Sequence, residues 1–222
     1  MGARAPAPRW VGAGRASRPR QRLRRLSRHA DTPDVVAVFA ADHVYRMDVG
    51  QMVLAHQRHR ADISVATMPV ALERSTGFGV VELDADGRIR AFQEKPTHPR
   101  PMPGRPGHAC ASMGDYLFDP GVLRTLLDAA ASRGETDFGR HVLPRAIASH
   151  RVCAYDFSDN RVTGTMPHEK PHYWRDVGTI GAYRSAQQDA LGPAQTFSLD
   201  NTLWPIGGHS RTDRIGARAA QG

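Results

Sequence analysis

The chain reads as an α/β protein with a mixed, mainly parallel sheet and helices on both faces. Three observations predict this. From Asp34 onward, short β-branched runs alternate with helical patterns, as strands joined by helices do. Residues 35–40 form an uninterrupted apolar run, which is how a strand buried on both faces reads. Asp42 stands just after that run, and Asp176 just after an aromatic-rich segment; open α/β sheets meet their ligands beyond the carboxyl ends of strands.

The elements follow in order. Residues 35–41 are the first buried strand, and 49–60 are helical, with Met52, Val53 and His56 at turn spacing. Residues 63–68 are the next strand. Residues 78–83 and 89–94 flank Asp84-Ala85-Asp86-Gly87, whose Asp and Gly chemistry predicts a hairpin turn. Residues 96–107 are crowded with proline and glycine and predict an extended surface loop. A strand over 110–118 leads to Pro120, a helix start, whose helix buries Val122, Leu123, Leu126 and Leu127. Thr136 or Asp137 caps a helix running to about Ser149. A strand over 152–157 and a helix over 179–190 complete the pattern. The arginine-rich head, 1–33, and the tail, 207–222, have no apolar period and are expected to be disordered, leaving 34–206 as the folded domain.

The net charge of +8 invites a nucleic-acid reading, but its distribution argues against one. Nine arginines and no acid fall within residues 1–30, so residues 31–222 carry a net charge of −1. A phosphate-tracking surface needs a basic stripe on the folded part, so that function would rest wholly on the head. No apolar run has the length of a membrane span. The two cysteines, Cys110 and Cys153, lack metal-ligand spacing and no secretory signal precedes them, which points to a reduced, cytoplasmic setting.

Asp42 and Asp176 together form a candidate Mg²⁺ clamp, since that ion takes hard oxygens and leaves positions for substrate phosphates; singly, each reads as a turn or helix-capping aspartate. Phe92-Gln93-Glu94-Lys95-Pro96 ends a hairpin strand in an acid-base pair. The lysine can serve as a point charge for a phosphate and the glutamate can accept sugar hydroxyl protons; the plainer reading is a solvent-facing ion pair worth little. Gly77-Phe78-Gly79 permits close backbone approach to a ligand, or a simple bend.

These motifs, with Ala41-Asp42-His43-Val44-Tyr45-Arg46-Met47-Asp48, Ser112-Met113-Gly114-Asp115-Tyr116, Asp137-Phe138-Gly139-Arg140, Tyr173-Trp174-Arg175-Asp176-Val177-Gly178-Thr179 and Trp204-Pro205-Ile206, occur in the order in which they stand in a known family. The chain resembles the sugar nucleotidyltransferases, and among them the bacterial glucose-1-phosphate adenylyltransferases of glycogen synthesis, over residues 34–206. The resemblance implies a Rossmann-like nucleotide-diphospho-sugar transferase domain. It further implies that Asp42 and Asp176 are catalytic and hold Mg²⁺, that Lys95 meets the phosphate of glucose 1-phosphate, and that Gly79, Glu94 and Ser112 meet the glucose, with Tyr116, Asp137 and Trp174 shaping that pocket. ATP and ADP-glucose would be the nucleotide partners. The family's N-terminal glycine-rich loop with its catalytic arginine, and its C-terminal β-helix, have no counterpart in these residues, and His141 stands where a carboxylate or amide is usual. The domain is therefore expected to be incomplete, with most of the nucleotide half missing and this chain alone inactive. Two further readings make it a non-catalytic sugar-phosphate-binding or regulatory subunit, associating with itself or with longer relatives, or a nucleic-acid binder through the head.

Overall fold

A computed structural model describes residues 10–13, by their backbone alone, and residues 33–206. They fall into two compact bodies, one made of residues up to Ala41 with Asp48–Asn160, the other of Asp42–Met47 with the residues from Arg161 onward.

The first body is built on a seven-stranded sheet. Its main path runs β1 (Trp10–Ala13), β2 (Val35–Val38), β7 (His108–Phe118), β4 (Ile63–Ala71) and β8 (Val152–Asp156), and a hairpin of β5 (Gly79–Leu83) and β6 (Ile89–Glu94) branches from β7. β1 pairs in parallel with β2, and β4 with β8, whereas β7 is antiparallel to β2, β4 and β5. Five of the seven strands therefore run one way, with β6 and β7 against them, and the sheet is mixed as expected, although four of its six pairings are antiparallel.

Side chains alternate across a strand, so β4 reports what covers each face. Ile63 and Val65 share one core cluster with Val36, Phe118, Leu123, Leu127, Leu143 and Ala146, which brings in α2 (Pro120–Ser132) and α3 (Leu143–Ser149). Ser64, between them, meets His56 of α1 (Val49–Arg58) on the opposite face. Helices thus cover both faces. Leu123 and Leu127, each 2% exposed, contribute about 1.5–3 kcal/mol apiece by leaving water. Asp48 and Asp119 start α1 and α2 by accepting the Gly50 and Gly121 N–H groups, each at 2.8 Å. At the hairpin turn, Asp84 Oδ1 accepts from the backbone of Asp86 and Arg88. The Ala154 N–H donates to the Gly87 carbonyl (2.9 Å), so the turn covers part of the β8 edge.

Two differences from expectation have physical causes. Residues 1–33 were expected to form no element, yet Trp10–Ala13 is a strand beside β2. Trp10 and Val11 are the only aromatic and β-branched residues in the first thirty, the types that favour strands, and β2 offers them an open edge. The rest of the head and the tail lie outside the described residues. The helix expected from Asp137 to Ser149 is divided: Phe138–Val142 is a single π-turn, in which the Leu143 N–H reaches back to Phe138, and α3 follows. Pro144 has no N–H to continue an i→i−4 ladder, and the turn widens ahead of it.

His56 is 6% exposed and its Nδ1 lies 2.8 Å from Ser64 Oγ. Burial pushes its pKa below 6.5, against the opposing pull of Asp119 and Asp62. A lowered folded pKa means that the unfolded chain takes up the proton first. This contribution is whole above pH 6.5 and is lost as the pH falls toward the folded value. Urea unfolding is expected to show stability falling below pH 6.5 by up to about 1.4 kcal/mol per pH unit from this one proton, and His56→Leu should remove that part of the slope.

The second body holds two three-residue strands, β3 (His43–Tyr45) and β9 (Trp174–Asp176), paired antiparallel, and α4 (Ile180–Leu191). Thr179 caps α4 through the Ala182 N–H. Arg46, at the end of β3, is buried against Glu169 (3.0 Å), donates to the Ser198 carbonyl and lies over the Phe197 ring. Phe197 in turn stacks on Tyr173, with centroids 4.5 Å apart.

Candidate functional site

In the first body the site grows from one irregularity of β7. Val65 and Thr67 on β4 are paired with Tyr116 and Ser112 on β7, so one residue of β4 faces three of β7. This bulge is possible because Gly114 takes φ +74°, a conformation that costs glycine little. Its N–H donates to Ser112 Oγ (3.2 Å). β7 also changes neighbours here. Before the bulge, Cys110 and Ala111 lie beside Val81 and Val80 of β5; after it, Tyr116, Leu117 and Phe118 lie beside Val38, Ala37 and Val36 of β2. β2 and β5 part over Met113-Gly114-Asp115. In this crevice, a gap in the strand pairing along one edge of β7, Ser112 and Tyr116 stand on β7 at either side of the bulge and Gly79 is the first residue of β5.

The hairpin brings the remaining residues there. Gly79 pairs with Glu94 at the end of β6. A Cβ at Gly79 would stand 2.5 Å from Phe92 Cζ and 3.2 Å from Glu94 Oε2, so only glycine lets that strand end approach. Lys95 follows with φ 48°, and its N–H donates to the Phe78 carbonyl (3.1 Å). The left-handed conformation is uncommon for a side chain with a Cβ, and such strain gathers at functional positions. Asp137 caps the π-turn through the Arg140 N–H (2.8 Å). Phe138 stacks on Tyr116, centroids 6.0 Å apart, and lies 5.7 Å from Phe118, which fixes Tyr116 against the core.

The electrostatics follow from that crowding. Burial first, and then the neighbouring Asp137 carboxylate, hold the Glu94 carboxyl above its usual range, while Lys95 and Arg140 pull the other way. Burial pushes the Tyr116 phenol far up, despite a hydrogen bond with Ser112, so it stays a neutral donor. Cys110 and Cys153 are buried free thiols, and burial raises Cys110 to about 11; neither is poised as a nucleophile.

In the second body the β3–β9 ladder sets His43 opposite Asp176, and the Val177 N–H donates to the Asp42 carbonyl (2.8 Å). The two aspartates are thus diagonal neighbours at one end of the ribbon. Neither caps a helix: Asp48 and Thr179 do that. Asp176 Oδ1 accepts from the Gly178 N–H (2.7 Å), and Oδ2 lies 4.0 Å from His43 Nε2. The Trp174 indole meets His43 edge-on, centroids 5.5 Å apart, with its N–H 3.4 Å from His43 Nδ1. Among the described residues no cluster of three or more His, Cys, Asp or Glu side chains could hold a metal unaided. Two hard carboxylates nevertheless suit Mg²⁺, which keeps waters and takes further ligands from phosphates.

Gly79, Glu94, Lys95, Ser112, Tyr116 and Asp137 are therefore gathered in the first body, and Asp42, Trp174 and Asp176 in the second. Three residues without an assigned role in the sequence reading also matter. Asp115, fully buried in the bulge, accepts the Ala40 N–H (3.0 Å) and ties the end of β2 to β7. His43 joins Trp174 to Asp176. Gly139 sits against Glu94, and only its glycine identity within a helical pattern could have flagged it. His141, the departure from the family pattern, has a buried Nδ1 that finds no hydrogen-bond partner among the described residues.

The chain matches the model of the nucleotidyl transferase family over residues 20–192, and it belongs to that family. The match starts inside the segment first read as head. Among curated proteins it is similar to the glucose-1-phosphate adenylyltransferase of Thermodesulfovibrio yellowstonii, 43% identical over 200 residues that make up 90% of this chain and 48% of the relative. The enzyme of the same name from Thermus caldophilus is 45% identical over 204 residues, again 90% and 48%. That of Paramagnetospirillum magneticum is 45% identical over 180 residues, 80% and 42%. The chain spans about half the length of the curated relatives it matches.

Proposed function

We propose that this chain carries the sugar-phosphate site and the metal-binding aspartates of a cytoplasmic glucose-1-phosphate adenylyltransferase, which makes ADP-glucose and diphosphate from ATP and glucose 1-phosphate for glycogen synthesis. The observation that carries the reading is the convergence of Gly79, Glu94, Lys95, Ser112 and Tyr116 on the crevice where β2 and β5 part, in a chain whose relatives bear that name. Lys95 supplies the fixed cation for the sugar phosphate. Glu94 accepts hydrogen bonds from glucose hydroxyls, and a bound hydroxyl relieves the cost of keeping its charge beside Asp137. Ser112 and Tyr116 hydrogen-bond the sugar, Gly79 lets the backbone close on it, and Asp137 limits its room.

Such chemistry is mostly positioning and neutralisation. Asp42 and Asp176 would hold Mg²⁺, which when bound neutralises charge on the reacting phosphates. The residues of the crevice fix the phosphate of glucose 1-phosphate so that one oxygen is presented in line to the α-phosphorus of ATP. Calorimetry with glucose 1-phosphate, mannose 1-phosphate and free glucose tests the reading. Saturable binding of the first, at least roughly tenfold tighter than the other two, is expected, since each lacks a matched hydrogen-bonding or charged group; equal binding of all three would refute it.

A further inference from the structure

We propose that Gly139 is a positioning residue for Glu94: the missing side chain at 139 leaves the space in which the Glu94 carboxylate is held toward the sugar. The inference deepens the function proposed above and rests on it. A Cβ placed on Gly139 would stand 2.8 Å from Glu94 Oε2 and 3.3–3.4 Å from the Phe92 ring. The carboxylate is therefore the nearest thing that must give way. It is the far end of a flexible side chain, and it can swing aside without moving the backbone. Gly79 differs, because its Cβ would strike Phe92 first, at 2.5 Å, and that ring is part of the core. One glycine allows the fold to close, and the other leaves Glu94 where the ligand needs it.

The backbone at 139 does not itself require glycine. Gly139 lies in the π-turn and is absent from the residues with positive φ, and within helical turns alanine is favoured over glycine. Stability and binding should therefore respond in opposite senses to Gly139→Ala, which a merely structural glycine would not produce. Asp137, the neighbouring carboxylate that faces Glu94, adds to the effect by leaving the displaced group no favourable place nearby.

The experiment compares wild type, Gly139→Ala, Glu94→Gln and the double variant by urea unfolding and by calorimetry with glucose 1-phosphate. Gly139→Ala is expected to unfold at an unchanged or higher urea concentration and to bind roughly tenfold to hundredfold more weakly, the loss typical of a hydrogen bond to a charged group. The double variant should bind no more weakly than Glu94→Gln alone, because the two changes remove the same contact. Wild-type affinity in Gly139→Ala alongside a weakened Glu94→Gln overturns this inference and spares the site assignment. Additive losses in the double variant, or a lowered unfolding midpoint showing that Phe92 rather than Glu94 yields, also overturn it. Unimpaired binding by Glu94→Gln overturns both the inference and the role of Glu94 beneath it.

Discussion

Glu169→Leu is expected to cost about 3–5 kcal/mol of stability, because it strips the partner from a buried charge. Arg46 and Glu169 are 8% and 6% exposed, and their side chains meet at 3.0 Å. Burial disfavours the ionised glutamate, yet the N–H groups of Met166 and Ser198 and the Arg46 guanidinium hold its pKa below 4.5. A lowered carboxyl pKa contributes stability above the unfolded value that is lost as the pH falls through the folded one. Urea unfolding of Glu169→Leu and of Arg46→Met/Glu169→Leu separates charge from shape. The double variant should recover much of the loss, since apolar groups of similar volume can replace a buried pair. An undiminished midpoint in Glu169→Leu would mean that the pair does not hold β3. The pair matters to function because Arg46 closes the short strand that begins next to Asp42.

Lys95→Ala is expected to weaken glucose 1-phosphate binding roughly tenfold to hundredfold, because charge-assisted bonds to a phosphate are worth about 1.5–3 kcal/mol. Arg124→Ala, on the exposed side of α2, should change nothing. Lys95→Gly should bind as poorly as Lys95→Ala while stability rises by about 1 kcal/mol, since φ 48° strains any residue with a Cβ. Calorimetry and urea unfolding of the three variants check both halves. Wild-type affinity in Lys95→Ala would remove this lysine from the site.

How much of this was legible in the sequence depended on the length and chemistry of each element. Strands such as β4 and β7 and the helices α1, α2 and α4 carry enough periodic apolar residues to be read directly. β3 and β9 have three residues each, too few for a period, and become strands only because each supplies the other's hydrogen bonds. The π-turn at Phe138 was hidden because its residues are compatible with an ordinary helix, and only Pro144 hints at the widened ladder. In the site, Lys95, Glu94 and the aspartates announce themselves by charge. Gly114 and Gly139 act by lacking a side chain, and Asp115 by a bond to the backbone of Ala40, 75 residues away. Such roles are defined by three-dimensional proximity, which no local pattern encodes.

Whether Lys95 meets the phosphate of glucose 1-phosphate can be measured directly, because lysines are scarce in this sequence. The chain has only two lysines, Lys95 and Lys170. Reductive ¹³C-methylation keeps the charge and gives one NMR signal for each, besides that of the α-amine, assignable with Lys170→Arg. Titration with glucose 1-phosphate is predicted to shift the Lys95 signal saturably, with the affinity found by calorimetry, and to leave Lys170 unmoved. A Lys95 signal that stays fixed while calorimetry reports binding would place the sugar phosphate elsewhere and remove Lys95 from its site.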